Sequence, residues 1–154
     1  MYGDNSRGLY LKLGVFGSRT LKDDRVKFLI LDELDKIGAD TIVTTQEPLG
    51  VCTIAQNVAK EQHLILELHF LDFKYRTGAY EHRSDNVIKS ADKILLIHDG
   101  ESKGTINELK RVKHLKKPYR YEIISKTDNN LQRNVDRKLE PFTSDEFSDF
   151  NFDF

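Results

Sequence analysis

Residues 77–110, TGAYEHRSDNVIKSADKILLIHDGESKGTINELK, decide how the rest of the chain is read. The stretch predicts a helix, a buried strand, a polar glycine-bearing turn and a second helix. Residues 93–98 (KILLIH) are continuously apolar without alternation, as expected of a strand covered on both faces of a parallel sheet. The turn that follows then lies at the sheet's carboxyl end. Its residues Asp99, Gly100, Glu101, Ser102, Lys103, Gly104 and Thr105 bring backbone N–H groups and hydroxyls to the start of a helix, an arrangement that favours phosphate. The sequence Thr105-Ile106-Asn107-Glu108 also spells a capping box, in which Thr105 and Glu108 would only satisfy free backbone donors.

A partner turn far upstream tips the reading toward a ligand. Residues 9–16 are an apolar strand ending in the corner Gly17-Ser18-Arg19. Glycine lets a backbone approach a ligand closely, and Arg19 offers a planar donor fork for phosphate or carboxylate.

Working outward, residues 10–16 are the first strand. Thr20 with Asp23 signals a helix start, Val26, Leu29, Ile30, Leu34 and Ile37 share a helical face, and Gly38 ends the helix. Residues 41–45 (TIVTT) are a β-branched strand, residues 46–52 a loop with Pro48 and Gly50, and residues 53–62 a short helix. Residues 64–70 form a third strand and residues 80–91 a third helix; after the fourth strand come a helix over 105–116 and an alternating edge strand over 119–124. Strands separated by helices argue for right-handed β-α-β units and an α/β fold with a doubly wound, mainly parallel five-stranded sheet. In the order 3-2-1-4-5, strands one and four adjoin at the switch point, and both motif turns open on one crevice.

These motifs resemble the SLOG superfamily of Rossmann-like domains, related to the Lonely Guy nucleotide hydrolases and to the DNA-uptake protein DprA. The resemblance runs over residues 11–124. It rests on Gly17, Ser18 and Arg19, on Arg83 with Asn86 in the third helix, and on Asp99, Gly100, Ser102, Gly104 and Thr105 after the fourth strand. It implies a crevice for a nucleotide or phosphorylated sugar lined by Gly17, Ser18, Arg19, Thr45, Arg83, Gly100, Ser102, Gly104 and Thr105. In Lonely Guy enzymes a Glu and a preceding Arg serve hydrolysis of a nucleoside monophosphate; Glu108 and Arg83 occupy those places here. The loop after the second strand departs from the family: where relatives are glycine-rich with an Asp, this chain has Thr44-Thr45-Gln46-Glu47-Pro48-Leu49-Gly50-Val51-Cys52. That departure tilts the expectation toward binding without turnover, with N-glycosidic hydrolysis or transfer as the alternative. Lonely Guy relatives are commonly dimers, which extends the expectation to a homodimer.

The 154 residues are one domain's worth: a leader over 1–8, the domain over 9–125, and a linker and tail over 126–154. A formal net charge of -1 marks no overall bias toward nucleic acid or membrane surfaces. The single cysteine, Cys52, excludes an internal disulfide, and no His and Cys cluster has metal-ligand spacing. No metal and no cofactor is therefore expected. The polar start is no signal peptide, and no apolar run approaches the roughly 20 residues of a spanning helix, so a cytoplasmic protein is expected.

Other residues carry two readings each. Tyr75 and Tyr80 flank the third helix and could stack on a base or simply pack. His82 and His98 are read as structural, Cys52 as an inert thiol, and the basic cluster over 110–117 as a solvated face or a nucleic-acid contact. Residues 139–154 carry no Lys or Arg, five acidic residues and five phenylalanines. The end of this tail, with Phe147, Phe150, Phe152 and Phe154, resembles the peptides by which replication proteins of T-even-type phages hold the sliding clamp, and also the tip of bacterial single-stranded-DNA-binding proteins. Both resemblances imply a replication partner and a phage source. The alternative is that the tail folds back on the chain's own 110–117 face.

Overall fold

Every strand of the sheet runs in the same direction. The computed structural model describes residues 11–125. Its elements are β1 (Lys12–Gly17), α1 (Asp24–Ile37), β2 (Thr41–Thr45), α2 (Val51–Glu61), β3 (Ile65–His69), α3 (Ala79–Ser90), β4 (Lys93–His98), α4 (Lys103–His114) and β5 (Tyr119–Ile123). The expected leader and the tail with Phe147, Phe150, Phe152 and Phe154 lie outside the described residues. The sheet has five strands in the order β3-β2-β1-β4-β5, all pairs parallel.

Alternate residues of the central strands feed two apolar layers. Leu13, Val15, Ile42, Leu95 and Ile97 face α1 and α2, where Val26, Ile30, Val51, Ala55 and Val58 pack. Phe16, Val43, Ile94 and Leu96 face α3 and α4, against Val87, Ile88, Leu109 and Val112. Each such side chain, fully withdrawn from water, contributes roughly 1.5–3 kcal/mol of transfer free energy. The apolar run KILLIH follows from this double cover: its last five residues are all buried. β3 and β5, at the edges, are only partly covered. At Gly14 an added Cβ would lie 2.5 Å from the Ile94 side chain and 2.9 Å from that of Ala91, so glycine is what lets these side chains close over β1.

Helix ends differ from expectation in instructive ways. Asp23, not Thr20, caps α1, its carboxylate accepting from the Arg25 amide at 2.8 Å, while Gly38 ends the helix at φ 68°. α2 begins at Val51, so the end of the expected 46–52 loop is already helical. α4 begins at Lys103 with Ser102 as N-cap, which places Thr105 and Glu108 inside the helix and overturns the capping-box reading of residues 105–108. Among the described residues, no helix is long and apolar enough to cross a membrane.

Candidate functional site

Register aligns the carboxyl ends of the strands: Gly17 pairs with Ile97, Thr45 with His69 and His98 with Ile123. The β1 corner, the β2 loop and the β4 turn therefore meet at one edge. Ser18 ties them together. Its amide donates to the Ile97 carbonyl at 3.1 Å, its hydroxyl oxygen accepts from the Asp99 amide at 3.0 Å, and the same oxygen is 3.3 Å from the Thr105 hydroxyl. Its carbonyl accepts from the Val51 amide at 3.2 Å, which adds α2 to the junction. Gly17 serves α2 as well, because a Cβ there would sit 2.4 Å from the Val51 side chain. Gly50, at φ 83°, lies so close to the first corner that a Cβ would meet the Arg19 Cα and the Ser18 carbonyl at 2.4 Å.

The β4 turn is organised by Asp99. Its carboxylate accepts from the Glu101 and Ser102 amides at 2.8 and 2.7 Å, from the Ser102 hydroxyl at 2.8 Å and from the Thr20 hydroxyl at 2.5 Å. Burial opposes ionisation, but these donors outweigh it and hold the acid well below the usual carboxylate range. With its hydroxyl turned to Asp99, Ser102 makes no side-chain cap for α4. Gly104 has nothing within 4 Å of where a Cβ would be, leaving open space beside this first turn. His98 braces the turn from beneath, donating from Nε2 to the Ser102 carbonyl at 3.0 Å and accepting at Nδ1 from the Tyr121 hydroxyl at 2.7 Å. Burial pushes His98 below its ordinary value and the Tyr121 phenol up to about 12, which fits a neutral imidazole and a donating phenol.

A crevice of about 590 Å³ opens above this junction. Its charged wall is held by Glu47, whose carboxylate lies 2.6 Å from Arg83 Nη2 and 3.0 Å from Arg19 Nε. Arg83 has a side chain 7 % exposed, and its Nε has no hydrogen-bond partner among the described residues. Its guanidinium also lies 5.3 Å from the centre of the exposed Tyr80 ring. Glu108 lines the same wall. Withdrawal from water pushes its carboxyl up to about 8; Arg83 opposes this, the Glu47 charge adds to it, and Arg19 opposes it more weakly. This favours the protonated form of Glu108 around neutral pH, less strongly than full burial would because the residue is only half-buried. Cys52 accepts from the Thr45 hydroxyl at 3.3 Å, and burial, then Glu108, push its thiol up, so it is no nucleophile. Among the described residues no group of three or more His, Cys, Asp or Glu could hold a metal ion.

No protein-family model and no curated protein matches the sequence. Among solved structures, the Moco Carrier Protein from Chlamydomonas reinhardtii matches with a TM-score of 0.52 at 15% identity, over 84% of this chain and 86% of that one. The fold is Rossmann-like.

Within this Rossmann-like frame, Gly17, Ser18, Arg19, Thr45, Arg83, Ser102, Gly104, Thr105 and Glu108 all line the crevice. Gly100 does not; at φ 88° it shapes the turn and has Ile123 as its neighbour. Tyr75 is also away from the crevice, its ring 4.1 Å from that of His82. Arg111, read as part of a solvated face, forms a two-pronged pair with Asp85 at 2.9 and 2.8 Å. Glu47 and Thr20 are among the lining residues that reading the sequence missed, with Glu81, Ser84, Asn107 and Arg111. The signal for Glu47 was present: an acid two positions beyond the end of β2, at the edge where Rossmann-like sheets take ligands.

Proposed function

We propose that the domain is a SLOG-type module that binds a nucleotide or phosphorylated sugar, with the phosphate at the first turn of α4 and in reach of Arg19 and Arg83. The observation that carries the proposal is the Arg83 side chain, nearly buried yet with Nε unpartnered, lining the same crevice as a helix start without a side-chain cap. The open space at Gly104 leaves room for a bulky anion, and the exposed Tyr80 ring offers a face for a flat base. The fold neighbour is a Moco carrier protein, so a chain with this fold can serve to hold a small molecule. Titrating the labelled protein with nucleoside 5′-monophosphates and ribose 5-phosphate should shift the amides of Ser18, Arg19, Lys103, Gly104 and Thr105 first. Shifts confined to other surfaces would reject the assignment.

The second reading, N-glycosidic hydrolysis, is supported by Glu108, a half-buried carboxyl on the crevice wall with Arg83 whose surroundings favour its protonated form. A neutral carboxyl can protonate a departing base as water attacks the sugar carbon, with Arg83 holding the phosphate. Release of free base from a nucleoside monophosphate, abolished in Glu108→Gln, supports turnover; no release leaves the binder. The acidic, phenylalanine-rich tail adds a tether to a replication protein on the sequence resemblance to phage clamp-binding peptides. Recovery of a sliding clamp or single-strand-binding protein by the full chain, and not by one truncated after Pro141, is the expected result.

A further inference from the structure

We infer that Glu47 is a built-in competitor for the ligand's anionic group, an inference that rests on the anion-binding reading above. Its carboxylate bridges Arg83 Nη2 at 2.6 Å and Arg19 Nε at 3.0 Å, the two-guanidinium cradle that an oxyanion would otherwise take. Neutralising the buried Arg83 would need only one contact. Glu47 also engages Arg19, whose side chain is 60% exposed and is solvated without help. The Glu47 main chain is anchored: its amide donates to the Thr45 carbonyl at 3.0 Å, and its carbonyl accepts from the Thr53 hydroxyl at 2.7 Å. The close approach of Gly50 to Arg19 fixes the other end of the loop. The only part free to leave is the carboxylate arm, so an entering anion exchanges places with it while the backbone stays.

Such an exchange lowers the affinity of every anion by one common factor, because the same pair of contacts is broken whichever ligand enters. Small free anions, which bring nothing beyond the two guanidinium contacts, then occupy the crevice only weakly. An anion carried on a larger ligand has further contacts with which to overcome the threshold. Glu47 is in this sense an autoinhibitory, specificity-determining residue.

Calorimetric titration of wild type and Glu47→Gln at pH 7.5 with inorganic phosphate and with dimethyl phosphate tests the inference. Removing the competing charge should tighten both ligands by about tenfold or more, the scale of a charge-assisted hydrogen bond that no longer has to be broken first. Both should gain by the same factor. A larger gain for the doubly charged phosphate would show that Glu47 stays in place and merely repels, and would overturn the exchange. Unchanged or weaker binding would make Glu47 a structural or ligand-contacting residue and overturn it as well. Glu47→Asp, whose shorter arm cannot span both arginines, should show a smaller gain in the same direction and carries the test if the Gln variant fails to fold. If neither protein binds a phosphate or a nucleotide, the anion-binding reading itself falls, an outcome distinct from binding by wild type without gain in the variant.

Discussion

Two clusters of basic and acidic residues occupy this molecule, and they differ in how evenly their charges balance. Across α1, β4 and β5, Arg120 meets three carboxylates, Glu122 at 2.8 Å and Asp32 and Glu33 at 2.9 Å. Lys93 Nζ lies 2.7 Å from Glu33 Oε2 as a charge contact, although that buried oxygen makes no hydrogen bond among the described residues, and Asp32 pairs with Lys36 at 3.1 Å. Burial opposes ionisation of Glu33, yet Lys93 and Arg120 outweigh it and hold the acid below its ordinary value. At the crevice, two arginines share the single carboxylate of Glu47, Arg83 Nε is unpartnered among the described residues, and burial disfavours the charged form of Glu108 on the same wall. A network in which each cation faces an acid gains from rigidity; one with more cations than ionised acids has capacity for an anion from outside.

The comparison can be broken most forcefully at Arg120. Arg120→Met should cost about 3 kcal/mol, because Glu33 is only 1% exposed and would be left with Lys93 alone. Urea unfolding measures the loss, and phosphate binding by the folded fraction should not change. A variant that kept its stability but lost its ligand would invert the assignment of the two clusters.

Glu108→Gln comes next, and its effect depends on pH. The carboxyl titrates near 8 in the folded chain against an ordinary 4.5. Below 4.5 both states hold the proton; between the two values only the folded state does, so this contribution to stability is full at low pH and is lost as pH rises through about 8. The Gln variant should match wild type at pH 4. At pH 9 it should exceed wild type by on the order of 2 kcal/mol, less than the full shift implies because the site is partly open to water. Thermal melts across that range measure the divergence, and parallel curves would place Glu108 in bulk solvent.

Ser18→Ala should cost roughly 1–2 kcal/mol, since it strips the acceptor from the Asp99 amide at the junction of β1 and β4. Hydrogen exchange should show the loss at the β4 turn. The smallest effect sharpens the contrast most. Gly104→Ala meets nothing within 4 Å and should raise stability by about 0.5 kcal/mol while weakening phosphate binding, a combination that calorimetry and melting separate cleanly.

What could be read in the sequence follows the same division. The double-faced strand 93–98 announces a parallel sheet because the four successive apolar residues 94–97 have no polar face to turn to water, and the order 3-2-1-4-5 is the common one for strands separated by helices. Gly17 was legible as a special position that lines the crevice, and the fold gives it a second reason, because a Cβ there would meet Val51 of α2, a partner that only the folded β-α-β unit brings near. Thr105 and Glu108 matched a capping box because the helix start was set three residues late. The turn closes earlier, at Ser102, since Asp99 has already taken the Glu101 and Ser102 amides. The position of Glu47 at the ligand edge was legible, but its pairing was not, because Arg83 is 36 residues away and no local pattern encodes such a contact.

The parallel pairing of β1 with β4 has a kinetic consequence. Their registered residues, such as Leu13 and Lys93, join only after the intervening β-α-β units have been synthesised, so the central contact of the sheet carries a large loop-closure cost. During synthesis β1, β2 and β3 can associate first, leaving one edge of β1 uncovered until β4 arrives. The crevice does not exist before that moment, because Ser18 and Asp99 lie just past the carboxyl ends of β1 and β4. A ligand that binds only with that seam closed stabilises it by an amount that grows with the logarithm of ligand concentration over Kd, so the pool of free ligand sets how tightly the seam is held.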